Sequence, residues 1–565
     1  MKLISLTTLI LLFSITACSL NPKPPYRQAY VNGKILTMDQ NSSIAEAVLI
    51  ERERILAVGN NKEISQQIDA DTKVFDLKGK TMMPGIIDAH GHFPGSGLST
   101  VAVDLNSPPI GNVTNIEQAL KLLKQKAEQT SKGEWIFAYG YDDSLLNEKR
   151  HFNRIELDQV SSEHPIYVMH ISGHLGVANS YALREADITK NTPNPNGGEI
   201  HKDKTTGELS GLLLETAHNP LRERATQFSM LEKLKITMTA SDEYISKGVT
   251  TAQNGLALEE HVKGLSMASW LGITPLRLVI WPYADTNLGE RIRKKEVDYS
   301  SHNRDKYLIG AIKLVADGSI QGYTGFLSNP YHIHPPLKDS NYQGYPTKSA
   351  KKLNGLVKDF HSAGYQLAIH GNGDAAIEMI INAFEEAQKN HYRKDARPII
   401  IHSQMIRDDQ LDRVKKLGMT LSFFSAHTYY WGDRHWNIFL GPERAQKISP
   451  AKSALDKGIR FTLHLDTPVV PMDPMLMAWT AVHRLSTGGK VLGKEERIPV
   501  MQALRAITID AAWQIFQEDN RGSIEAGKFA DIIVLSEDPI KNPEKLRTIQ
   551  VEKTLIGGVP VYQRQ

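Results

Sequence analysis

Through the middle of the chain, short apolar runs alternate with amphipathic stretches. The runs are "GVTTAQ" (248–253), "LRLVIWPY" (276–283), "LIGAIKLVADG" (308–318), "YQLAIHGNGD" (365–374), "RPIIIHSQ" (397–404), "GMTLSFFS" (418–425) and "GIRFTLHLDTP" (458–468). Between several of them lie patterns such as "AAIEMIINAFEEAQ" (375–388) and "RDDQLDRVKKLG" (407–418), with apolar residues at helical spacing. Strand–helix alternation predicts parallel strands, and continuous Val/Ile/Leu runs predict strands buried on both faces. An earlier run, in "MPGIIDAHGHFPGSG" (83–97), brings the count to eight. An α/β fold of the (β/α)8 TIM-barrel type is the economical reading, with a doubly wound sheet as the alternative.

The flanks follow a different period. "QAYVNGKILTMD" (28–39), "AEAVLIERERILAVG" (45–59) and "KVFDLKGKTMMPG" (73–85) alternate as half-buried strands do, and Asn32-Gly33 carries a hairpin signal. The far end, "GSIEAGKFADIIVLSEDP" (522–539) and "KTLIGGVPVYQ" (553–563), is strand-rich again. Strands at both ends predict one small β domain built from 29–84 and 521–565, around a larger unit over 85–520. Far more residues separate the first run from "GVTTAQ" than one βα unit needs. That stretch has strands of its own in "WIFAYGYDD" (135–143) and "PIYVMHISGHLG" (165–176), and reads as an insertion over about 98–230.

Composition narrows the classes. With 565 residues, 41% hydrophobic and 23% charged, the chain has material for a large core and more than one domain. The net charge is +3, and no Lys/Arg block with interleaved aromatics occurs, so no nucleic-acid partner is indicated. The opening "MKLISLTTLILLFSITACSL" has one positive charge and then an apolar stretch too short to span a bilayer comfortably, as in a secretory signal over 1–18. Its end, Ile15-Thr16-Ala17-Cys18, resembles a bacterial lipobox. That predicts lipidation of Cys18, a Pro-rich tether over 19–28, and a membrane anchor in the cell envelope, on the periplasmic face or outer membrane. Cys18 is the only cysteine, so no disulfide forms within the chain.

Candidate chemistry gathers where the runs end. In a parallel barrel, catalytic groups collect at the C-terminal ends of the strands. Here the first run exits into His90 and His92, "YQLAIH" ends on His370, "RPIIIH" on His402, and "RFTLHLD" on Asp466. Neutral imidazoles and carboxylates are ligands for Zn²⁺ and its neighbours. One His-x-His pair is commonly coincidence; four strand ends bearing ligand-type residues are not. Lys313 lies inside an apolar run, where an unpaired ammonium is costly. Burial lowers its pKa, and a neutral amine can add CO₂ to give a carbamate whose two oxygens could bridge two cations; the plainer reading is a lysine that snorkels outward or pairs with Asp317. If the last run continues as a strand, His464 shares a face with Asp466 and is a further ligand or pocket residue.

Together, "PGIIDAHGH", Lys313 in "KLVADGS", His370, His402, Asp466 and "GSIEAGKFADIIVL" resemble the amidohydrolase superfamily, in the branch that includes N-substituted formamide deformylases. The resemblance covers nearly the whole chain after the tether. It implies a distorted (β/α)8 barrel plus a β-sandwich from both termini. It also implies one or two divalent metal ions, with zinc favoured. By position, His90, His92 and Asp466 match ligands of a first metal and His370 and His402 those of a second, with Lys313 as the carboxylated bridge. His174, in "SGHLGVANSYAL", matches a substrate-facing segment. The implied chemistry is hydrolysis of an amide or cyclic amide C–N bond by metal-activated hydroxide, with Asp466 as general base and then acid.

Further pocket candidates are Asp317, Tyr323 and Trp431. The last lies in the aromatic-dense "SFFSAHTYYWGDRHW" (422–436), which would wall a substrate pocket or form core under a loop. Two rival functions remain. Gly371-x-Gly373-x-x-Ala376 mimics a dinucleotide fingerprint, but the next run ends in His402 rather than an acid. Its plainer role is a tight turn, with Asp374 capping the following helix. A non-catalytic metal- or ligand-binding lipoprotein would reuse the same fold without turnover.

Overall fold

The computed structural model describes residues 26–335 and 338–565. The expected signal segment over 1–18 with Cys18, and most of the expected tether over 19–28, lie outside these residues. Among the described residues, no helix is long and apolar enough to cross a membrane.

All eight apolar runs form strands. They are β1 (Ile86–Ile87), β2 (Val249–Ala257), β3 (Arg277–Pro282), β4 (Tyr307–Ile309), β5 (Ile312–Val315), β6 (Leu367–Gly371), β7 (Ile399–His402), β8 (Thr420–Phe423) and β9 (Phe461–Leu463). The 308–318 run splits in two, giving nine. Two all-parallel sheets result, ordered β4-β3-β2-β1 and β5-β6-β7-β8-β9. Hydrogen bonds join the two sheets, from the residues just past β3 to β5 and between the exits of β1 and β9. The Ala284 N–H donates to the Lys313 carbonyl (2.9 Å), the Asp466 N–H to that of His90 (3.2 Å), and the His92 N–H to that of Thr467 (2.8 Å).

Both faces of these strands are buried, as continuous apolar runs require. Val279, Ala368, Ile399 and Ile401 form one cluster with Ile87 and Trp281. Their neighbours Ile280, Ile369 and Ile400 pack on the other side with Ile377, Ile380, Leu411 and Val414. Those last residues belong to the two amphipathic helices, Asp374–Asn390 and Asp408–Leu417. Each aliphatic side chain removed from water contributes about 1.5–3 kcal/mol, so the interleaved runs carry the core.

The Gly371-x-Gly373 turn has a packing reason. A Cβ at Gly373 would stand 1.9 Å from the Phe326 carbonyl oxygen, so only glycine admits that approach. The expected capping by Asp374 does not occur. Gly373 is the cap position, and Asp374 instead accepts from the Ser328 backbone and pairs with Arg407.

Residues 103–215 contribute their own six-stranded sheet. Its order is Gly198–Lys202, Leu209–Glu215, Leu175–Ala178, Ile166–His170, Ile136–Tyr141 and Val103–Asp104, with separate apolar clusters on its faces. At the ends of the chain, Ile532–Leu535 pairs antiparallel with Thr81–Pro84, which brings both termini into one sheet. The hairpin expected at Asn32-Gly33 is not formed. Arg27–Val31 pairs with Ala47–Glu51 and Thr72–Asp76, whereas Lys34–Leu36 joins the other terminal sheet. Crossing between sheets lets Tyr30 and Ile35 enter the same buried cluster, which outweighs the local turn preference.

Candidate metal centre

His90 and His92 lie in the turn just past β1, Lys313 inside β5, His370 inside β6, and His402 closes β7. Asp466 lies beyond the end of β9 at Leu463, so the strand alternation expected to align it with His464 does not reach it. His402 and Asp466 hold left-handed backbone, with φ of 70° and 58°. Each such residue costs on the order of 1–3 kcal/mol and persists only where its surroundings hold it. Glu215, at the end of the strand Leu209–Glu215, is also strained, with φ 51° and ψ −127°.

These elements converge. His90, His402 and Asp466 each offer a ligand atom, and the three atoms lie within 4.8 Å of one another. Asp466 Oδ1 stands 3.4 Å from His90 Nε2 and 3.1 Å from His92 Nε2, and Asp466 Oδ2 stands 3.9 Å from His402 Nε2. The His370 and His402 rings are 4.5 Å apart. Lys313 Nζ approaches His90 Nε2 at 3.1 Å and is 2% exposed.

Three imidazoles are anchored the same way. His90 Nδ1 faces Gln253 Oε1 (3.2 Å), His370 Nδ1 faces Asp317 Oδ1 (3.2 Å), and His402 Nδ1 faces His464 Nε2 (2.9 Å). His464 is itself held at Nδ1 by Ser422 Oγ (2.8 Å). The network assigns the proton to Nδ1 in His90 and His370, which leaves a lone pair on Nε2. Such outer partners fix tautomer and ring orientation in metal sites.

Electrostatics agree with that assignment. Burial, the largest cause in each case, holds His90, His370 and His402 well below the usual histidine pKa, so all three are neutral. Burial opposes ionisation of Asp466, but the adjacent imidazoles of His92, His402 and His90 outweigh it and hold its carboxyl well below the usual range. Burial brings Lys313 down to about 7 although Asp466 pulls the other way. Asp466 Oδ1 is buried without a well-formed hydrogen bond. A neutral imidazole set around an ionised, under-satisfied carboxylate fits a divalent cation.

The other candidates occupy different roles. Asp317 is fully buried and accepts the Asn372, Gly373 and Phe326 backbone N–H groups, so it supports His370 instead of meeting a substrate. Burial pushes its carboxyl up to about 7 against those donors. His464 spends both nitrogens on His402 and Ser422 and props the site from behind. Trp431 is 1% exposed, its N–H donates to Asp142 Oδ2 (3.1 Å), and it packs on Phe424 and His427, so it is buried core. Tyr323 is half-buried against Tyr331 and Phe439. His174 comes to 5.0 Å, ring to ring, from His370, and its Nδ1 meets Glu215 Oε2 at 2.9 Å. Burial alone would lower its pKa, but Glu215 raises it.

Gln253, Ser422 and Glu215 escaped sequence reasoning because amides, hydroxyls and a single acid carry no ligand spacing. A second group, Asp142, Asp143 and His170, also clusters. There the Ser172 N–H donates to His170 Nδ1 (3.2 Å), so the proton sits on Nε2 facing Asp143, and Asp142 is paired with Arg434. That leaves no nitrogen lone pair for a cation, and the group is an ion-pair junction.

N-substituted formamide deformylase of Arthrobacter pascens is 29% identical over 544 residues, covering 94% of this chain and 98% of that protein. Among solved structures, an uncharacterized metal-dependent hydrolase from Pyrococcus horikoshii OT3 superposes with a TM-score of 0.71 at 24% identity, covering 91% of this chain and 98% of that one. One from Pyrococcus furiosus gives 0.69 at 24% identity, covering 91% and 100%. At that identity the two structures speak to the fold, which is of their α/β type. Residues 73–562 match the amidohydrolase family model, and the chain belongs to the amidohydrolase family.

Proposed function

We propose that this chain is a metal-dependent hydrolase that cleaves a non-peptide amide or cyclic amide C–N bond. The observation that carries the reading is the shared anchoring of His90, His370 and His402, each held at Nδ1 by a buried neighbour beside one ionised aspartate. In this reading His90, His92 and Asp466 hold one cation, zinc by preference, and His370 and His402 hold a second where two bind. Lys313, with a pKa of about 7, would offer neutral amine there for addition of CO₂, and the resulting anionic carbamate would serve as a further ligand. A divalent cation bound there supplies Lewis-acid polarisation of a carbonyl oxygen and acidifies water. Asp466 would accept one proton of the attacking water and pass it to the leaving nitrogen, so that an amide and water become a carboxylic acid and an amine. Similarity to a formamide deformylase supports the choice of amide.

The same reading treats the two parallel sheets as one distorted (β/α)8 barrel over 85–520, interrupted by the insertion at about 98–230. The hydrogen bonds between the two sheets, past β3 to β5 and between the exits of β1 and β9, support closure. The terminal sheets, 29–84 and 521–565, share one apolar cluster and read as a β-sandwich.

The test is metal analysis of the purified protein with a screen of N-substituted formamides, N-acyl amines, N-acyl amino acids and cyclic amides. Chelator-sensitive hydrolysis of one class is the expected result. Bound metal with no turnover on any class would instead favour a binding protein. We further propose that Cys18 is lipidated and anchors the protein in the cell envelope, on the strength of the lipobox-like residues. Expression should place the wild type in the membrane fraction with an acylated N-terminal peptide, and Cys18→Ser in the soluble fraction. Equal partitioning would remove the anchor.

A further inference from the structure

We propose that Glu215 is a positioning residue: it fixes His174 in the orientation from which His174 Nε2 hydrogen-bonds the scissile amide. The proposal rests on the hydrolase reading, and it assigns the insertion a part in the chemistry.

Two bonds tie the pair together. The Glu215 N–H donates to the His174 carbonyl (2.6 Å), and His174 Nδ1 meets Glu215 Oε2 at 2.9 Å. The strands that carry them, Leu175–Ala178 and Leu209–Glu215, pair antiparallel with Leu175 opposite Leu214. That register sets the two side chains beside each other at one end of the insertion sheet. The same end brings the His174 ring 5.0 Å from His370.

Three features go beyond what the sheet needs for stability. Glu215 is buried, and its backbone is in a region that non-glycine residues rarely enter. Its Oε1 has no hydrogen-bond partner, an expensive state for a buried carboxylate. Gly318, next to the Asp317 that holds His370, lets that oxygen in: a Cβ there would stand 1.9 Å from Glu215 Oε1. The carboxylate is thus wedged between the insertion and the segment that supports the metal centre. With Nδ1 committed to Glu215, Nε2 is the remaining polar atom of the ring. The His174 side chain is 20% exposed, whereas that of Glu215 is 5% exposed. A carboxylate on the far nitrogen is the arrangement that fixes an imidazole's orientation and tautomer.

The test uses the full metal-loaded chain and the variants Glu215→Ala, Glu215→Gln, His174→Ala and Glu215→Ala with His174→Ala. Proton NMR of the imidazole N–H region provides a readout independent of turnover. A low-field resonance lost in His174→Ala identifies the His174 Nδ1 proton, and it should also disappear in Glu215→Ala. With N-butylformamide as probe, Glu215→Ala should lower kcat by about 10–100-fold at unchanged metal content, the range for outer partners of a site. Glu215→Gln, which keeps an oxygen acceptor of the same shape, should recover part of that loss. The double variant should be no slower than His174→Ala, since two residues acting as a unit do not add. A His174 resonance unmoved in Glu215→Ala, or additive losses in the double variant, would overturn the proposal. A wild-type protein that holds no metal would sink the hydrolase reading instead, while the resonance still reports on the pair.

Discussion

Asp466→Asn is expected to lower kcat by about 10²–10⁴-fold, the usual contribution of a positioned acid–base group. Asparagine matches aspartate in shape, so the left-handed turn at φ 58° and the backbone bond from the Asp466 N–H to His90 should survive. What is lost is the anionic oxygen pair that lies among His90, His92 and His402. An amide accepts no proton from water at neutral pH and returns none to an amine. The remaining imidazoles keep their Nδ1 anchors, so the metal is expected to stay. Steady-state kinetics on whichever amide the wild type hydrolyses, with metal content and circular dichroism as controls, checks this. Near-normal turnover would remove Asp466 from proton transfer.

His402→Ala is expected to lose bound metal and turnover together. This imidazole belongs to the only ligand triad among the described residues that includes Asp466, and it stands 4.5 Å from the His370 ring. Truncation deletes a donor and also strands His464, whose Nε2 faces it at 2.9 Å. His464→Ala should be milder, because it removes only the support behind His402; such outer partners cost about 10–100-fold in metal affinity or activity. Metal analysis and kinetics on both variants give a graded pair. Full metal and activity in His402→Ala would exclude it from the centre, and equal losses in both would contradict the order of support.

The strand runs and the His, Lys and Asp positions near their ends were legible because they are local. Apolar continuity over a few residues reports burial on both faces wherever the strand lies, and a residue that ends such a run sits near the strand's end in any parallel fold. Asn32-Gly33 shows where local reasoning loses: its turn preference is small beside the apolar surface gained when Tyr30 and Ile35 serve two sheets. His464 fails for a related reason. Its alternation with Asp466 presumes a strand, and β9 stops at Leu463.

By itself, the sequence determined the family pattern, the α/β class, and which side chains were eligible to bind a cation. Only the tertiary structure decided which nitrogen each imidazole offers, because the partner that takes Nδ1 is distant in sequence: Gln253 is 163 residues from His90, and His464 is 62 from His402. It also brought the His174 ring, held by Glu215, to 5.0 Å from that of His370, and set Asp317 behind His370. Hydrogen bonds depend on distance and angle between segments that no local pattern brings together, whereas burial is written in the pattern itself.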